Sequence, residues 1–467
     1  MLPGLTPRRH RDHPPATGRP RTWSRRARHR WAGLLLAAIA SIALSALGPA
    51  VGTATAAPPS ARPPSAFPAP ADLPPLPDLT FYGRGYGHGV GMSQYGARGR
   101  ALAGQLAPAI LAHYFARTTL GTRSTTTTIR VLLLTGLAAT PARPLTVVGL
   151  GGGWTIDGVA ETFPANAKLT LAPTARAATT WNLRVVSATG TVLSKKVVSG
   201  SVYVRPAGTS SLLQLVSKAT TKNVYRGFFR LRLTTKAMVV NHVGIERYLR
   251  GVVPTEMPST WPVEALKAQA IAARSYALYR IHASGTFDVY DDTRSQVYLG
   301  RRAETTATNA AAAKTAGTVL LSGTSLVNAM FHSADGGWTE NNENVFVGST
   351  GLIVAGAVSY LRGSSDRAPD GSSYDKASPY ATWKTATYSA SALSAILARD
   401  PRTNVGTLSS LDLSDRGVSG RLISVTLTGD LGTKTVSGNV FRTIFNAAKP
   451  TADPSLRGTL FDIAPIP

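Results

Sequence analysis

The residues best placed by type and spacing to do chemistry fall in three segments. In GVVPTEMPSTWPVEALKAQAIAARSYA, Gly251 to Ala277, Glu256 reads as lying in a short connection between Pro254 and Pro258, just ahead of a helix, with Val253, Met257 and Trp261 as apolar neighbours. A carboxyl among apolar neighbours has its charged form disfavoured and its pKa raised, which is what a general acid working near neutrality needs. Glu264, in the first turn of the following helix, reads as a dipole or capping partner. Lys267 reads as a solvated side chain, while Gln269 and Arg274 from the same helix are candidates for binding a substrate.

The second segment is GRGYGHGVGMSQYGA, Gly83 to Ala97, where glycine alternates strictly from 83 to 91. An extended chain of this kind has one side without side chains, so a ligand or a packed strand can approach its backbone. His88, Ser93 and Gln94 supply polar tips, and the spacing is not that of a dinucleotide fingerprint. The bland reading is a tightly packed glycine strand with an incidental histidine. The third segment, FHSADGGWTENNENVF from Phe331 to Phe346, offers Ser333, Gly336 and Gly337 in a loop suited to hydrogen-bonding a sugar, or simply to being a polar loop. YDDTRSQVYLG adds Asp291, Asp292 and Gln296 beside Tyr298.

The elements that must position these residues point to an α+β fold: a mixed helix and strand catalytic domain with a β-rich inserted region. TIRVLLLTG, PLTVVGL, NLRVVSA and GFFRLRLTT read as strands, giving a β-rich region over 121–236. Before it, 78–120 holds the glycine-rich segment and a helix over Ala97–Ala116. After it, 237–464 holds the remaining motifs. Its clearest helix opens at Pro262, and Val263, Leu266, Ala270, Ala273, Ala277 and Ile281 fall on one apolar face. A second helix near Ala303–Ala316 and a hairpin turning at Ser322-Gly323 come next, and a short helix near Val440–Ala448 lies in a tail of strands.

Composition narrows the chemistry. The chain has 467 residues and no cysteine, which excludes disulfides, thiolate zinc sites, iron–sulfur clusters and a cysteine nucleophile. G-x-S-x-G, Walker and H-E-x-x-H patterns are absent. Only five histidines lie beyond the leader, poor material for a zinc cage, so neither metal nor cofactor is expected. The leader, 1–56, joins an arginine-rich start to an apolar run from Trp31 to about Val51 and then Ala54-Thr55-Ala56. This reads as a cleaved secretory signal or an uncleaved membrane anchor, with the protein outside the membrane in either case. Residues 57–77 form a proline-rich linker. Net charge is +26, and the leader's nine arginines against Asp12 leave about +18 without it. Such a charge favours anionic wall polymers or lipid head groups. Nucleic acid is not expected as a partner, since no binding fold is evident and the leader argues for export.

Taken together, NHVGIERYLRGVVPTEMPSTWPVEALKAQAIAARSYALY, DDTRSQVYLG, FHSADGGWTENNENVF, GHGVGMSQYGARG and the tail RGVSGRLISVTLTG resemble the SpoIID/LytB family of sporulation and cell-wall proteins. The resemblance covers roughly 78–464. It implies a lytic transglycosylase cutting peptidoglycan between N-acetylmuramic acid and N-acetylglucosamine, with Glu256 at the position of the family's single acid and base. His88, Gln94, Gln296 and Ser333 would then position the sugar. LytB-type relatives imply a rival: a non-catalytic wall-binding module or amidase enhancer with a wall-hydrolase partner. A scaffold whose groove binds another protein is a third reading. Two departures matter. The GHGVGMSQ segment precedes the β-rich region here, whereas in many relatives it lies near the C-terminus, so it must reach the site from the other end. The cysteines that some relatives carry near the D-T-x-x-Q segment are replaced by Asp291 and Ser295, so a thiolate-held zinc is not implied.

Overall fold

The computed structural model describes residues 76–466, so the leader and most of the proline-rich linker lie outside the described residues. Helices and strands are mixed throughout, an α+β fold. The largest sheet runs in the order Val224–Tyr225, Leu212–Leu215, Leu145–Leu150, Lys168–Pro173, Thr180–Val186, Val192–Pro206, Phe228–Leu233, Ala237–Gly244, Thr128–Leu137, Val289–Tyr290. Alternation along each strand decides which face is buried. In Phe228–Leu233 the residues Phe229, Leu231 and Leu233 point inward, while Phe228, Arg230 and Arg232 point outward. Strand Val192–Pro206 serves three ladders, pairing first with Thr180–Val186, then with Phe228–Leu233, and at its end also with Trp154–Ile156. Gly200, at φ +71°, stands where the partner changes.

The β-rich region is continuous with the helical segment after it. Ala237–Gly244, beyond residue 236, pairs with both Phe228–Leu233 and Thr128–Leu137 and then leads directly into helix Ile245–Glu256. One core joins Trp154, Trp181 and Phe229 of the sheet to Tyr248, Val252 and Val253 of that helix. All described residues fall in one compact unit.

Helix Val263–Tyr279 departs from the single apolar face read in its sequence. Thirteen of its 17 residues are buried, and the burial continues around its circumference. Its many alanines allow neighbours to approach on every side, with Gln94–Leu102, Ala107–Tyr114, Ile245–Glu256 and Thr306–Lys314 all packed against it. Val263, assigned to the apolar face, is exposed at the helix start. The helix read over Ala97–Ala116 is two helices, Gln94–Leu102 and Ala107–Tyr114. Gly104 at φ +85° ends the first, and Pro108 stands in the first turn of the second.

The early glycine-rich segment starts from the C-terminal part of the chain. Strand Leu79–Gly83 lies between Trp383–Tyr388 and Phe461–Asp462. Phe81 sits among Phe441, Phe445 and Phe461, with ring centroids 5.4–5.9 Å away. This aromatic cluster anchors the segment, which then crosses to the middle of the molecule.

Candidate active site

Three segments far apart in sequence converge on one open cleft of about 430 Å³, lined by Glu256, Gln94, His88, His332, Ser333 and the 293–297 stretch among others. Short pairings bring them together. Met92–Ser93 runs parallel to Phe331–His332, and Tyr86 bridges to Ala334.

The glycine-rich segment is not the extended strand its alternation implied. Gly85, Gly87, Gly89 and Gly91 all have positive φ, so the chain turns repeatedly in a conformation open mainly to glycine. At Gly91 a Cβ would lie 2.2 Å from the Met330 carbonyl oxygen, and at Gly89 2.4 Å from the Arg421 guanidinium. At Gly89 and Gly91 the absent side chains therefore admit neighbouring protein, while Gly87 lines the cleft itself.

Glu256 is the last residue of helix Ile245–Glu256, with Pro254 inside the final turn instead of in a connection ahead of the next helix. Its carboxyl is half-buried. Oε1 accepts the Val297 backbone N–H at 2.9 Å, and Oε2 accepts a long contact from Gln94 Nε2 at 3.4 Å. Burial raises its pKa above the ordinary carboxylate value, and these two donors oppose the shift without cancelling it. Glu256 is the sole carboxyl among the lining residues.

Two imidazoles face each other across the cleft wall, with His88 and His332 ring centroids 5.3 Å apart. Both are set by Val90. Its N–H donates to His88 Nδ1 at 3.0 Å, and its carbonyl accepts from His332 Nδ1 at 3.2 Å. The two rings therefore hold opposite tautomers when neutral. Burial first, then the nearby Arg421 charge, lowers His88 to about 4. Burial, His88 and Arg421 push His332 well below the ordinary histidine value. Neither is a cation at neutral pH.

Several residues read as substrate-binding sit elsewhere. Arg274 is fully buried: it grips Glu246 through Nε at 2.9 Å and Nη2 at 2.8 Å, and donates to the carbonyls of Ala312 and Thr318. It ties helix Val263–Tyr279 to its neighbours and does not line the cleft. Gln269 is also fully buried and is not among the residues that line the cleft. Gln296 is turned inward, accepting from Tyr248 Oη at 3.1 Å and donating to the Ala273 carbonyl at 3.3 Å. Its neighbours Thr293, Arg294, Ser295 and Val297 take the cleft positions instead. Ser93 caps helix Gln94–Leu102, accepting from the Gly96 N–H at 3.1 Å. Gly336 borders a separate small cavity with Arg84 and Asp375, and Gly337 lines neither cavity. Of the sequence candidates, His88, Gln94, Ser333 and Glu256 share the cleft.

His332, Tyr276, Arg280 and Arg294 also line it and were missed by the sequence reading. The adjacency of His332 to Ser333 was the available signal. The arginines carried none, because charged residues on a basic chain do not stand out. Arg294 lies 3.8 Å over the Tyr290 ring and is held by Asp292, while Arg280 lies 5.0 Å over Tyr276. Among the described residues no group of three or more metal-binding side chains is assembled, and no helix is long and apolar enough to cross a membrane.

Fold and site together define an α+β protein with an open cleft built around one half-buried carboxyl on a helix end. Residues 234–321, a stretch that includes Glu256, match the model of the SpoIID family, described as Stage II sporulation protein. The chain is 40% identical over 112 residues to an uncharacterised protein of Brachyspira hyodysenteriae, covering 23% of this chain and 30% of that protein. It is 37% identical over 150 residues to the amidase enhancer of Bacillus subtilis, covering 31% and 21% of the two chains. It is 35% identical over 121 residues to stage II sporulation protein D of the same organism, covering 22% and 35%. These matches span about a fifth to a third of the length of the curated relatives.

Proposed function

We propose that this chain acts outside the cell membrane on peptidoglycan glycan strands, as a lytic transglycosylase with Glu256 as its one acid and base. The observation that carries the reading is a single cleft carboxyl with a raised pKa and no second carboxyl beside it. Hydrolysis by two carboxylates needs both in the same cleft. One carboxyl suffices when the substrate supplies its own nucleophile. Glu256 then protonates the glycosidic oxygen as the bond to the anomeric carbon lengthens. The resulting carboxylate takes the proton of the muramyl C6 hydroxyl, whose oxygen closes on the anomeric carbon. The product is a 1,6-anhydro sugar, and Glu256 ends protonated for the next cycle.

The Val297 N–H and the Gln94 amide stabilise the carboxylate formed midway. Neutral His88 and His332 add no positive charge beside the developing oxocarbenium ion. Tyr86, Tyr276 and Phe331 offer aromatic surface for sugar rings.

A second reading, a wall-binding module that stimulates a hydrolase partner, is favoured by the similarity to the amidase enhancer. The deciding experiment digests purified, peptide-free glycan strands and detects anhydro-muramyl ends by mass spectrometry. The enzyme reading expects such ends from the wild type and their loss by a hundredfold or more in Glu256→Gln, the usual worth of a positioned acid. No ends from the wild type would leave the binding-module reading.

A further inference from the structure

The outward face of the large sheet carries a second surface, different in kind from the cleft and rich in arginine. Cross-strand register sets one row across three strands, Phe228 on Phe228–Leu233, His242 on Ala237–Gly244 and Arg130 on Thr128–Leu137, and Arg205 of Val192–Pro206 lies over the Phe228 ring at the end of that row. The adjoining row holds Tyr203 opposite Arg230, and the next holds Ser201 opposite Arg232. Neighbouring strands lie about 4.8 Å apart and alternate residues about 6.8 Å apart along a strand. The groups thus form a grid of cations and rings.

The rings are ordered by the cations. Arg205 lies 4.1 Å over Phe228 and 5.5 Å over Tyr203, Arg230 lies 6.0 Å over Tyr203, and His242 stacks on Phe228 at 4.6 Å. At the end of the row, Arg205, Phe228, Arg226, Arg247, Gly227 and Ser211 border a cavity of about 380 Å³. Acids hold some of these arginines in place: Asp157 holds Arg205, Glu304 holds Arg226 and Asp288 holds Arg130. Arg230, Arg232 and Arg247 have no carboxylate partner among the described residues. Arg230 and Arg232 donate instead to hydroxyls, Ser201 Oγ and Thr286 Oγ1, both at 3.2 Å. The local field is positive. Burial is the main cause that lowers His242 to about 4, and Arg230 and Arg130 lower it further.

We propose that this face binds an anionic wall polymer whose repeating groups are phosphodiesters. Charge complementarity selects a polyanion, since Arg230 and Arg232, two residues apart on one strand face and without acid partners, would otherwise lie close together at a mutual cost. Guanidiniums match phosphate oxygens in pairs and remain charged throughout. The grid extends over several residues in both directions, which suits a chain polymer better than one free ion. Phe228 and Tyr203 supply apolar area for the carbon backbone between phosphates. A surface of this kind would hold the protein on the wall while the cleft engages a different polymer, and it does not depend on how the cleft is read.

The test measures binding of a purified poly(glycerol phosphate) chain to the Glu256→Gln protein, so that glycan cleavage cannot interfere. Arg230→Gln/Arg232→Gln is expected to weaken binding at least tenfold and to flatten its salt dependence, because fewer phosphates are neutralised and fewer counterions are released on binding. Arg247→Gln should weaken it severalfold, and Phe228→Ala likewise. An unchanged thermal midpoint in Arg247→Gln separates weakened polymer binding from damaged folding. Anionic phospholipid vesicles and single-stranded oligothymidine are the comparison probes. Binding of either as tight as that of the polymer would overturn the assignment, as would no measurable polymer binding or full binding by the double variant.

Discussion

Gln94 and Glu256, 162 positions apart, meet at 3.4 Å from Nε2 to Oε2. The contact joins the glycine-rich segment, which enters from the C-terminal layer, to the helix that succeeds the large sheet. A donor here favours the charged carboxylate. Gln94→Leu is therefore expected to raise the Glu256 pKa further, visible by carbon NMR of labelled glutamate. Under the transglycosylase reading it also moves the alkaline limb of the pH–rate profile upward and slows cleavage by about tenfold. An unmoved glutamate resonance would show that the contact carries no weight.

The raised pKa of Glu256 has a stability consequence with a definite sign. The native state favours the neutral carboxyl, so its contribution is present below the unfolded value of about 4.3 and is lost as pH rises through the folded value. Glutamine does not titrate. Glu256→Gln should therefore gain thermal stability over the wild type at pH 8 and show no gain near pH 3.5. A constant difference across that range would contradict burial as the cause of the shift.

His88 and His332 act in the opposite sense. Their folded pKa values are depressed, so the stability they contribute is complete above the unfolded value of about 6.5 and falls as pH drops below it, for His88 down through about 4. Urea midpoints should decline across that window in the wild type and less steeply in His88→Asn. Proton NMR should find the His88 ring still neutral at pH 5.5.

Two glycines separate backbone strain from crowding. Gly104, at φ +85°, has open space around it, so Gly104→Ala should cost only the left-handed penalty of about 1–2 kcal/mol. Gly91 has a similar φ of +72° but a carbonyl oxygen 2.2 Å from where a Cβ would lie. Gly91→Ala should cost clearly more in urea unfolding and should also shift the His88 and His332 resonances. Equal losses would show that the Met330 backbone yields without resistance.

Arg274→Met tests whether that arginine is structural. It removes the charged partner of Glu246 and one donor from each of two carbonyls, at a cost of about 3 kcal/mol. Chemical denaturation should register the loss, while the folded fraction keeps wild-type affinity for glycan. Unchanged stability with weakened glycan binding would restore the binding role read in the sequence.

Local chemistry was legible from sequence wherever a short stretch determines its own conformation. Alternation placed the strands at Thr128–Leu137, Leu145–Leu150, Thr180–Val186 and Phe228–Leu233, because burying one face of a sheet requires a period of two. The apolar neighbours of Glu256 foretold the direction of its pKa shift, since desolvation acts over a few ångströms. What sequence could not decide was which side of a buried element each polar residue takes. Gln269, Arg274 and Gln296 carry the same side-chain chemistry whether they face substrate or protein, and only the surrounding helices turned them inward. The helix from Val263 hides its polar residues because its alanines admit neighbours on every side, a property of packing and not of periodicity. The alternating glycines likewise fit an extended chain or a series of left-handed turns equally well. The close approach of Met330 and Arg421, brought from more than 200 residues away, decided for the turns.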